Sequence, residues 1–358
     1  MIVRLGDYVR IKTGKLDANA ASENGAYPFF TCSVEPLKID SFSYDCECVL
    51  VAGNGDLNVK YFNGKFDAYQ RTYIIESLDK TKLSVPYLYC FLDKYVETLR
   101  KQSIGGVIKY IKLGNLTEAK IPLISLEEQS QIVNLISNVE SLILKRKEQL
   151  SKLDKLVKSR FIEMFGDPML NPYQWKTKPL LKTGTCKNGM NFHYDDSGVE
   201  LNCLGVGDFK DFSVIDDTSV LPMVSLNEMP SAEYLLQDGD IVFVRSNGNK
   251  ALVGRSVAVY PKDIPTTFSG FCIRYRKFDD TITVPYLLRV LKSSSIRKKM
   301  MGRGANIQNL NQQILSTIVI PIPPLDLQNE FSTFVEHTDK LKFDCLSWIG
   351  KCRLNIID

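Results

Sequence analysis

Between Leu126 and Phe165 no proline or glycine interrupts the chain, and apolar residues recur in three heptad columns. The first holds Ile132, Val139 and Leu153, interrupted by Arg146; the second holds Leu135, Leu142 and Leu156, interrupted by Gln149; the third holds Ile136, Ile143, Leu150 and Val157. The pattern predicts a single helix of about forty residues, roughly 60 Å long at about 1.5 Å per residue. A stripe this wide is expected to face a partner helix along its whole length. Lys145, Lys147, Lys152, Lys155 and Lys158, set among Glu140, Glu148 and Asp154, mark the solvated face. A second apolar series, less regular, runs from Leu325 to about Ile357 through Phe331, Phe334, Val335, Thr338, Leu341, Cys345, Trp348, Ile349 and Cys352. Gly350 weakens it by about 1 kcal/mol relative to alanine, so its last two turns are expected to fray or to need a partner. The residues expected to pack the two helices are Ile132, Leu135, Val139, Leu142, Ile143, Leu150, Leu153, Leu156, Phe334, Leu341 and Trp348.

The chain is written twice. Val85-Pro86-Tyr87-Leu88 returns as Val284-Pro285-Tyr286-Leu287, an offset of 284 − 85 = 199. Without a gap, the same offset matches Leu92 to Leu291, Gly105 to Gly304, Ile108 to Ile307, Leu116 to Leu315, Ile121-Pro122 to Ile320-Pro321, Gln129 to Gln328 and Leu142 to Leu341. Self-similarity over such a span means a duplicated structural unit. Alternating apolar segments predict strands in the first copy at Cys48 to Ala52, Asn58 to Phe62 and Thr72 to Ile75, with a turn at Gly53 to Asp56 and a hairpin signal at Asn63-Gly64. The second copy shows strands at Ile241 to Val244, Gly254 to Val259 and Phe271 to Tyr275. Helices with proline in the first turn follow at Pro86 to Ser103 and Pro285 to Met301, then proline-bearing strands at Lys120 to Ile124 and Ile318 to Ile322. The Gly166-Asp167-Pro168 run ends the first long helix and opens the second copy. The expected fold class is therefore α+β: two repeated mixed α/β domains at residues 1–125 and 166–324, each followed by a long helix at 126–165 and 325–358.

The 358 residues, 44% hydrophobic and 24% charged, suit two ordinary globular domains. A net charge of only +4 means that any nucleic-acid surface arises by local clustering. Nine cysteines without CxxC spacing and only two histidines, His193 and His337, predict buried thiols in a reducing cytoplasm and no metal site. The N-terminus lacks the apolar core of a signal peptide, and the most apolar run, Ile314 to Leu325, is broken by prolines, so no membrane insertion is expected. Phosphate-binding GxxxxGK[ST], HExxH and GxSxG motifs are absent. Gly205-Val206-Gly207 reads as a turn. Asn171-Pro172-Tyr173 matches only part of the Asn-Pro-Pro-Tyr motif of adenine methyltransferases and has no glycine-rich cofactor motif beside it. No catalytic residue is assigned.

Basic and amide side chains gather instead in matching loops. The first copy offers Lys12, Lys15, Asn54, Lys60, Lys65, Gln70, Arg71, Lys109 and Lys112. The second offers Lys182, Lys187, Asn188, Arg245, Asn247, Asn249, Lys250, Arg255, Arg303, Asn306, Gln308 and Asn309. Arginine and lysine serve phosphates or guanine, and asparagine and glutamine serve adenine, so these are the candidate contacts to duplex DNA.

The proline strand leading into Leu-Glu-Glu-Gln (IPLISLEEQSQIV, diverged as IPIPPLDLQNEF), the helix end SRFIEMFGDP and the loop GANIQNLN resemble the DNA specificity subunit of type I restriction-modification systems. The resemblance covers essentially the whole chain. It implies a non-catalytic subunit with two target recognition domains, held apart by two antiparallel long helices that form a coiled-coil spacer. Each domain would read one half of a bipartite, asymmetric sequence in double-stranded DNA. The implied partners are methylation subunits, which carry S-adenosylmethionine while this chain binds no cofactor, and motor-nuclease restriction subunits. Gly304, Ile307, Gln308, Asn309 and Leu310 match the family loop; the first copy departs from it at Lys109 and Tyr110. Two other readings stay open on the residues alone: a two-domain protein-interaction scaffold, and a fused methyltransferase or nuclease.

Overall fold

The computed structural model describes residues 1–192, 196–209, 214–301 and 309–357, with side chains up to 352. It divides into two compact units, residues 1–147 with 347–358, and residues 148–346.

The first unit contains β1 Ile2–Arg4, β2 Val9–Thr13, β3 Tyr27–Phe30, β4 Leu37–Ile39, β5 Tyr44–Ala52, β6 Val59–Ala68 and β7 Thr72–Ser77. Helices α1 Val85–Gln102 and α2 Leu113–Thr117 follow, then β8 Lys120–Pro122 and the long helix α3 Leu126–Phe165, whose residues from 148 onward belong to the second unit. Six strands form one sheet in the order β2-β7-β5-β6-β3-β4, and β1 pairs with β8. Alternation along β5 explains why both sheet faces are buried. Val49 and Val51 meet Leu88, Leu92, Val96 and Leu99 of α1, while Cys48 and Leu50 join Phe30, Phe66 and Ile74 in a second core.

One expectation fails within this sheet. Asn63-Gly64 is not a hairpin turn but lies inside β6, where Glu47 pairs with Asn63 and Cys46 with Gly64. The β5–β6 connection is the earlier Gly53–Asn58 segment, in which Gly55 takes φ +70°. Gly64 takes φ +140° in this strand, and β6 must curl along its length: it starts opposite Val51, yet the short turn after Ala68 delivers Thr72 opposite Ala52. A straight ten-residue strand would leave those ends roughly 30 Å apart.

The second unit repeats this plan with β9 Lys176–Pro179, β10 Gly184–Asn188, β11 Val199–Leu204, β12 Val214–Ile215, β13 Met223–Leu226, β14 Asp240–Val244, β15 Ser256–Val259, β16 Thr266–Phe268 and β17 Cys272–Lys277. It continues with α4 Val284–Lys292, α5 Ser294–Met301, α6 Gln312–Ser316, β18 Val319–Ile322 and α7 Leu325–Ile357. The order β10-β17-β14-β15 mirrors β2-β7-β5-β6, and β18 pairs with β9 as β8 does with β1. The curled β6 corresponds to two strands here. Both β6 and β16 end in a parallel pairing, with β3 and β11 respectively. The single helix expected at Pro285 to Met301 is broken at Ser293, whose extended ψ of 145° ends α4. Its hydroxyl donates to the Val290 carbonyl at 2.7 Å and accepts from the Ile296 amide at 3.4 Å, capping both pieces.

Helix α3 has the expected limits, and its start is fixed by a capping box in which Ser125 and Glu128 exchange side-chain-to-backbone hydrogen bonds. Its last turns enter the core of the second unit, where Phe161 and Phe165 pack against Tyr286 and Phe331. Within that unit Arg160 bonds Glu330 at 2.8 Å and Lys342 bonds Asp154 at 2.7 Å, so α7 runs antiparallel to this half of α3. Within the first unit Arg146 lies over the Trp348 ring at 5.6 Å.

The expectation that all three heptad columns are covered is corrected. Ile143 and Val157 are buried, and Val139, Leu150, Leu153, Phe334 and Trp348 are half-buried, whereas Ile132, Leu135, Leu142, Leu156 and Leu341 are exposed. At about 100° per residue the Leu135 column lies roughly 100° from the Ile143 column, too far for one partner helix to cover both. Helix α7 continues through Gly350 to Ile357, and near its end Trp348 has the Arg146 guanidinium of α3 as a partner.

Candidate nucleic-acid interface

In the first unit three loops distant in sequence are tied together by backbone hydrogen bonds. The Gly53 amide donates to the Arg71 carbonyl at 2.8 Å, and the Gly53 carbonyl accepts from the Ile111 amide at 2.9 Å. Next to it Gly55 donates to the Lys109 carbonyl at 2.9 Å, and Asn54 bridges Tyr110. The turn Tyr69–Thr72 is also reached from the end of β2: Gly14 donates to the Thr72 carbonyl at 3.0 Å, and Gln70 donates to the Leu16 carbonyl at 2.9 Å. A Cβ on Gly14 would stand 2.1 Å from the Ala68 carbonyl oxygen, so only glycine permits this approach. The junction thus carries Lys15, Asn54, Gln70, Arg71, Lys109 and Tyr110.

The second unit uses the same circuit. Arg245 donates its amide to the Phe271 carbonyl at 2.8 Å, and its own carbonyl accepts from the Leu310 amide at 2.7 Å. Ser246 bridges Asn309, as Asn54 bridges Tyr110. Gly189, whose Cβ would lie 2.1 Å from the Ser269 carbonyl oxygen, repeats the approach of Gly14. This junction carries Asn188, Arg245, Phe271 and Asn309.

Several candidates are engaged by their own domain. Lys12 pairs with Glu76 at 2.8 Å, and Lys65 lies over the Phe42 ring at 4.8 Å. Lys60 bonds Asn58, and burial pulls its ammonium below the ordinary lysine value. Lys187 pairs with Glu233 and lies 4.4 Å over the Tyr234 ring; the Glu233 hydrogen bond raises its pKa. Arg245 also donates from its guanidinium to the Gly270 carbonyl at 3.1 Å, and Arg255 to the Phe209 carbonyl at 3.3 Å. The Asn247 and Asn249 side-chain oxygens accept backbone amides two residues on, at 2.8 and 3.0 Å, shaping their own loop.

Others are exposed: Lys15, Gln70, Arg71, Lys109, Lys112, Asn188, Lys250 and Asn309. Lys182 is corrected as a member of the cluster, because it precedes β10 and stands at the opposite end of that strand from Asn188. Arg303, Asn306 and Gln308, with Gly304 and Ile307, lie outside the described residues.

Phe271 is absent from the candidates because in the sequence it reads as the first residue of an apolar strand. Strand β17 begins one residue later, and Phe271 is 60% exposed. Its sequence signal is the preceding Ser269-Gly270, a turn former in place of Tyr69-Gln70.

Asn171 carries no catalytic geometry. Its side chain closes a turn, accepting from the Trp175 amide at 3.0 Å and donating to the Trp175 carbonyl at 2.9 Å. Gly205 opens a short helical turn in which its amide donates to Asp208 at 2.8 Å. Among the described residues no group of three histidine, cysteine or acidic side chains could hold a metal ion, and no helix is long and apolar enough to cross a membrane.

The family model for the type I restriction modification DNA specificity domain matches residues 1–153 and 223–346. The type I restriction enzyme EcoDI specificity subunit of Escherichia coli is 36% identical over 365 residues, spanning 94% of this chain and 80% of that protein. The MjaVIII specificity subunit of Methanocaldococcus jannaschii is 24% identical, spanning 95% and 86%. Among solved structures, the type I restriction-modification S subunit from M. genitalium matches with a TM-score of 0.57 at 17% identity, over 99% of this chain and 93% of that one. A chain from a type I restriction-modification assembly matches with a TM-score of 0.60 at 16% identity, over 100% and 95%; both share the fold. A duplicated chain matched by the family model in both halves, and 36% identical to a specificity subunit along nearly its whole length, belongs to the type I restriction-modification DNA specificity family.

Proposed function

We propose that this chain is the non-catalytic, sequence-specific DNA-binding subunit of a type I restriction-modification complex, each domain reading one half of a bipartite target. The observation that carries the proposal is the loop junction present in both units, built by the same hydrogen bonds but furnished with different side chains. A rigid scaffold with exchangeable loops is how binding residues are usually presented. Two different modules on one chain read a longer, asymmetric site than either could alone. The side chains support contact with both phosphates and base edges: Lys15, Arg71 and Lys109 in the first junction, Asn188, Arg245 and Asn309 in the second.

The helices α3 and α7 serve as the spacer in this proposal. The exposed Leu135 and Leu142 of α3 support docking of methylation subunits, since such leucines are costly to leave in water. S-adenosylmethionine belongs to those subunits, and motor-nuclease subunits join for restriction. Nine cysteines without CxxC spacing support a reducing cytoplasm as the place of work. Neither a scaffold without DNA nor a fused methyltransferase draws support from the relatives, which are named as specificity subunits.

The test is to assemble the full chain with its methylation subunits, map the methylated adenines, and measure duplex affinity across salt. A single bipartite motif is expected, with log affinity falling linearly with log salt as phosphate contacts release counterions. Methylation without a motif, or binding that salt leaves unchanged, would overturn the proposal.

A further inference from the structure

We propose that Phe271 is a specificity-determining residue that packs on the 5-methyl group of a thymine in the major groove, and that Arg71 holds the same place in the first domain and selects a guanine. The proposal rests on the DNA-reading function above and names the chemistry of two of its contacts.

The equivalence of the two positions follows from the hydrogen bonds. Thr72 donates to the Tyr69 carbonyl and Cys272 to the Ser269 carbonyl, both at 2.8 Å, closing the same turn. The Arg71 and Phe271 carbonyls accept from Gly53 and Arg245, whose own carbonyls accept from Ile111 and Leu310. Arg71 and Phe271 therefore occupy one site of one scaffold, and only their side chains differ.

Phe271 is mounted rigidly. Its amide donates to the Ser269 hydroxyl at 3.3 Å, and the Gly270 amide donates to the Met190 carbonyl. The Arg245 guanidinium donates to the Gly270 carbonyl at 3.1 Å. A Cβ on Gly270 would come 2.1 Å from the Asn191 side-chain oxygen, so the turn is packed against the β10 loop. Yet the ring is 60% exposed, belongs to none of the hydrophobic cores and makes no aromatic pair among the described residues. Its turn is bonded to Arg245 and Ser246, the latter bridging Asn309, and Asn188 precedes the Gly189 that donates to Cys272; these side chains of arginine and asparagine can hydrogen-bond to bases or phosphates. A phenyl ring has no hydrogen bond to offer, and the one apolar group on the major-groove edge of the bases is the thymine methyl. Arginine at the same place offers paired donors that match guanine O6 and N7. The exchange of one residue thus gives the two halves of the target unlike base preferences.

The experiment uses the full chain assembled with its methylation subunits. A target is first selected from a randomised duplex library, and each thymine in it is then replaced in turn by deoxyuridine, which pairs identically but lacks the methyl. For the wild type, one such replacement is expected to weaken binding about fourfold, the factor corresponding to about 0.8 kcal/mol for one buried methyl-sized group. Phe271→Ala should bind the thymine duplex more weakly and be indifferent to that replacement, with the other half of the selected motif unchanged. Phe271→Leu should keep part of the discrimination. Arg71→Ala should relax selection at one guanine in the opposite half. An unchanged thermal midpoint establishes that the alanine variant is folded, as an exposed turn side chain allows. Wild-type indifference to every replacement, or equal sensitivity in Phe271→Ala, overturns the proposal while leaving DNA reading intact. Selection of no motif by the wild type overturns it together with the function it rests on.

Discussion

Asp279 accepts hydrogen bonds from the Lys178 ammonium and from the Thr281 amide and hydroxyl, the last two at 2.9 and 2.6 Å. These contacts, Lys178 first, push its carboxyl down to about 2. A carboxylate whose folded pKa lies below its unfolded value of about 3.9 stabilises the fold fully above that unfolded value. The contribution fades as the pH falls toward 2. Asp279→Asn should therefore lower the urea midpoint clearly at pH 6, and the difference from the wild type should shrink to roughly half by pH 3. A difference that does not change with pH would mean that the shape of the side chain matters and its charge does not. Both residues of this ion pair could be seen in the sequence; their partnership could not, since Lys178 and Asp279 lie 101 residues apart in the chain. The same holds for Lys12 with Glu76 and Lys187 with Glu233, each a basic residue suited to phosphate that the fold gives to a carboxylate.

At the scale of elements, the joint between each domain and its long helix is built from one buried glutamine. Gln129 in the first turn of α3 accepts the Ser84 amide at 2.9 Å and donates to the Lys82 and Ile124 carbonyls at 2.7 and 3.0 Å. Gln328 in α7 accepts the Thr283 amide at 2.9 Å and donates to the Thr281 and Pro323 carbonyls, both at 2.9 Å. Tyr87 and Tyr286 brace the same joints by donating to the Pro122 and Pro321 carbonyls at 2.9 and 3.0 Å. Each glutamine ties the loop before the proline-headed helix to the start of the long one. The repeat made Gln129 and Gln328 visible as a matched pair, but their three-way bonding is a tertiary fact. Removing either amide leaves a buried N–H and two carbonyls without partners, at a cost of about 1–3 kcal/mol. Gln129→Ala and Gln328→Ala should each lower stability by that order in equilibrium unfolding. Glutamate, which cannot donate when ionised, should be no better than alanine. Recovery with glutamate would remove the donor from the account.

At the scale of the molecule, the exposed leucine column of α3 is the largest departure from the expected packing. Leu135, Leu142 and Leu156 are 65, 46 and 49% exposed in the single chain. Replacing Leu135 and Leu142 by lysine should change the stability of the isolated chain by less than about 0.5 kcal/mol. Co-purification with the methylation subunits should fall sharply if the column is their seat. Full assembly by the double variant would falsify that role. The sequence by itself determined the duplication, the limits of α3 and α7 and the strand-helix-strand grammar of each copy, because these rest on local periodicity, on glycine and proline breaks and on a repeat kept in one offset; the family showed in the motifs it resembles. It also located the polar loops. Only the tertiary structure decided that Gly53, Arg71 and Ile111 meet at one point, that their counterparts Arg245, Phe271 and Leu310 do the same, and that Lys182 stands elsewhere. It decided too that Asn63-Gly64 continues a strand, that Ser293 divides a helix, and which of three apolar columns meets a partner. The physical reason is common to all of them. Periodicity reports what a segment prefers over a few residues, whereas convergence of loops, curl of a strand and the covered face of a helix depend on contacts between residues far apart in the chain.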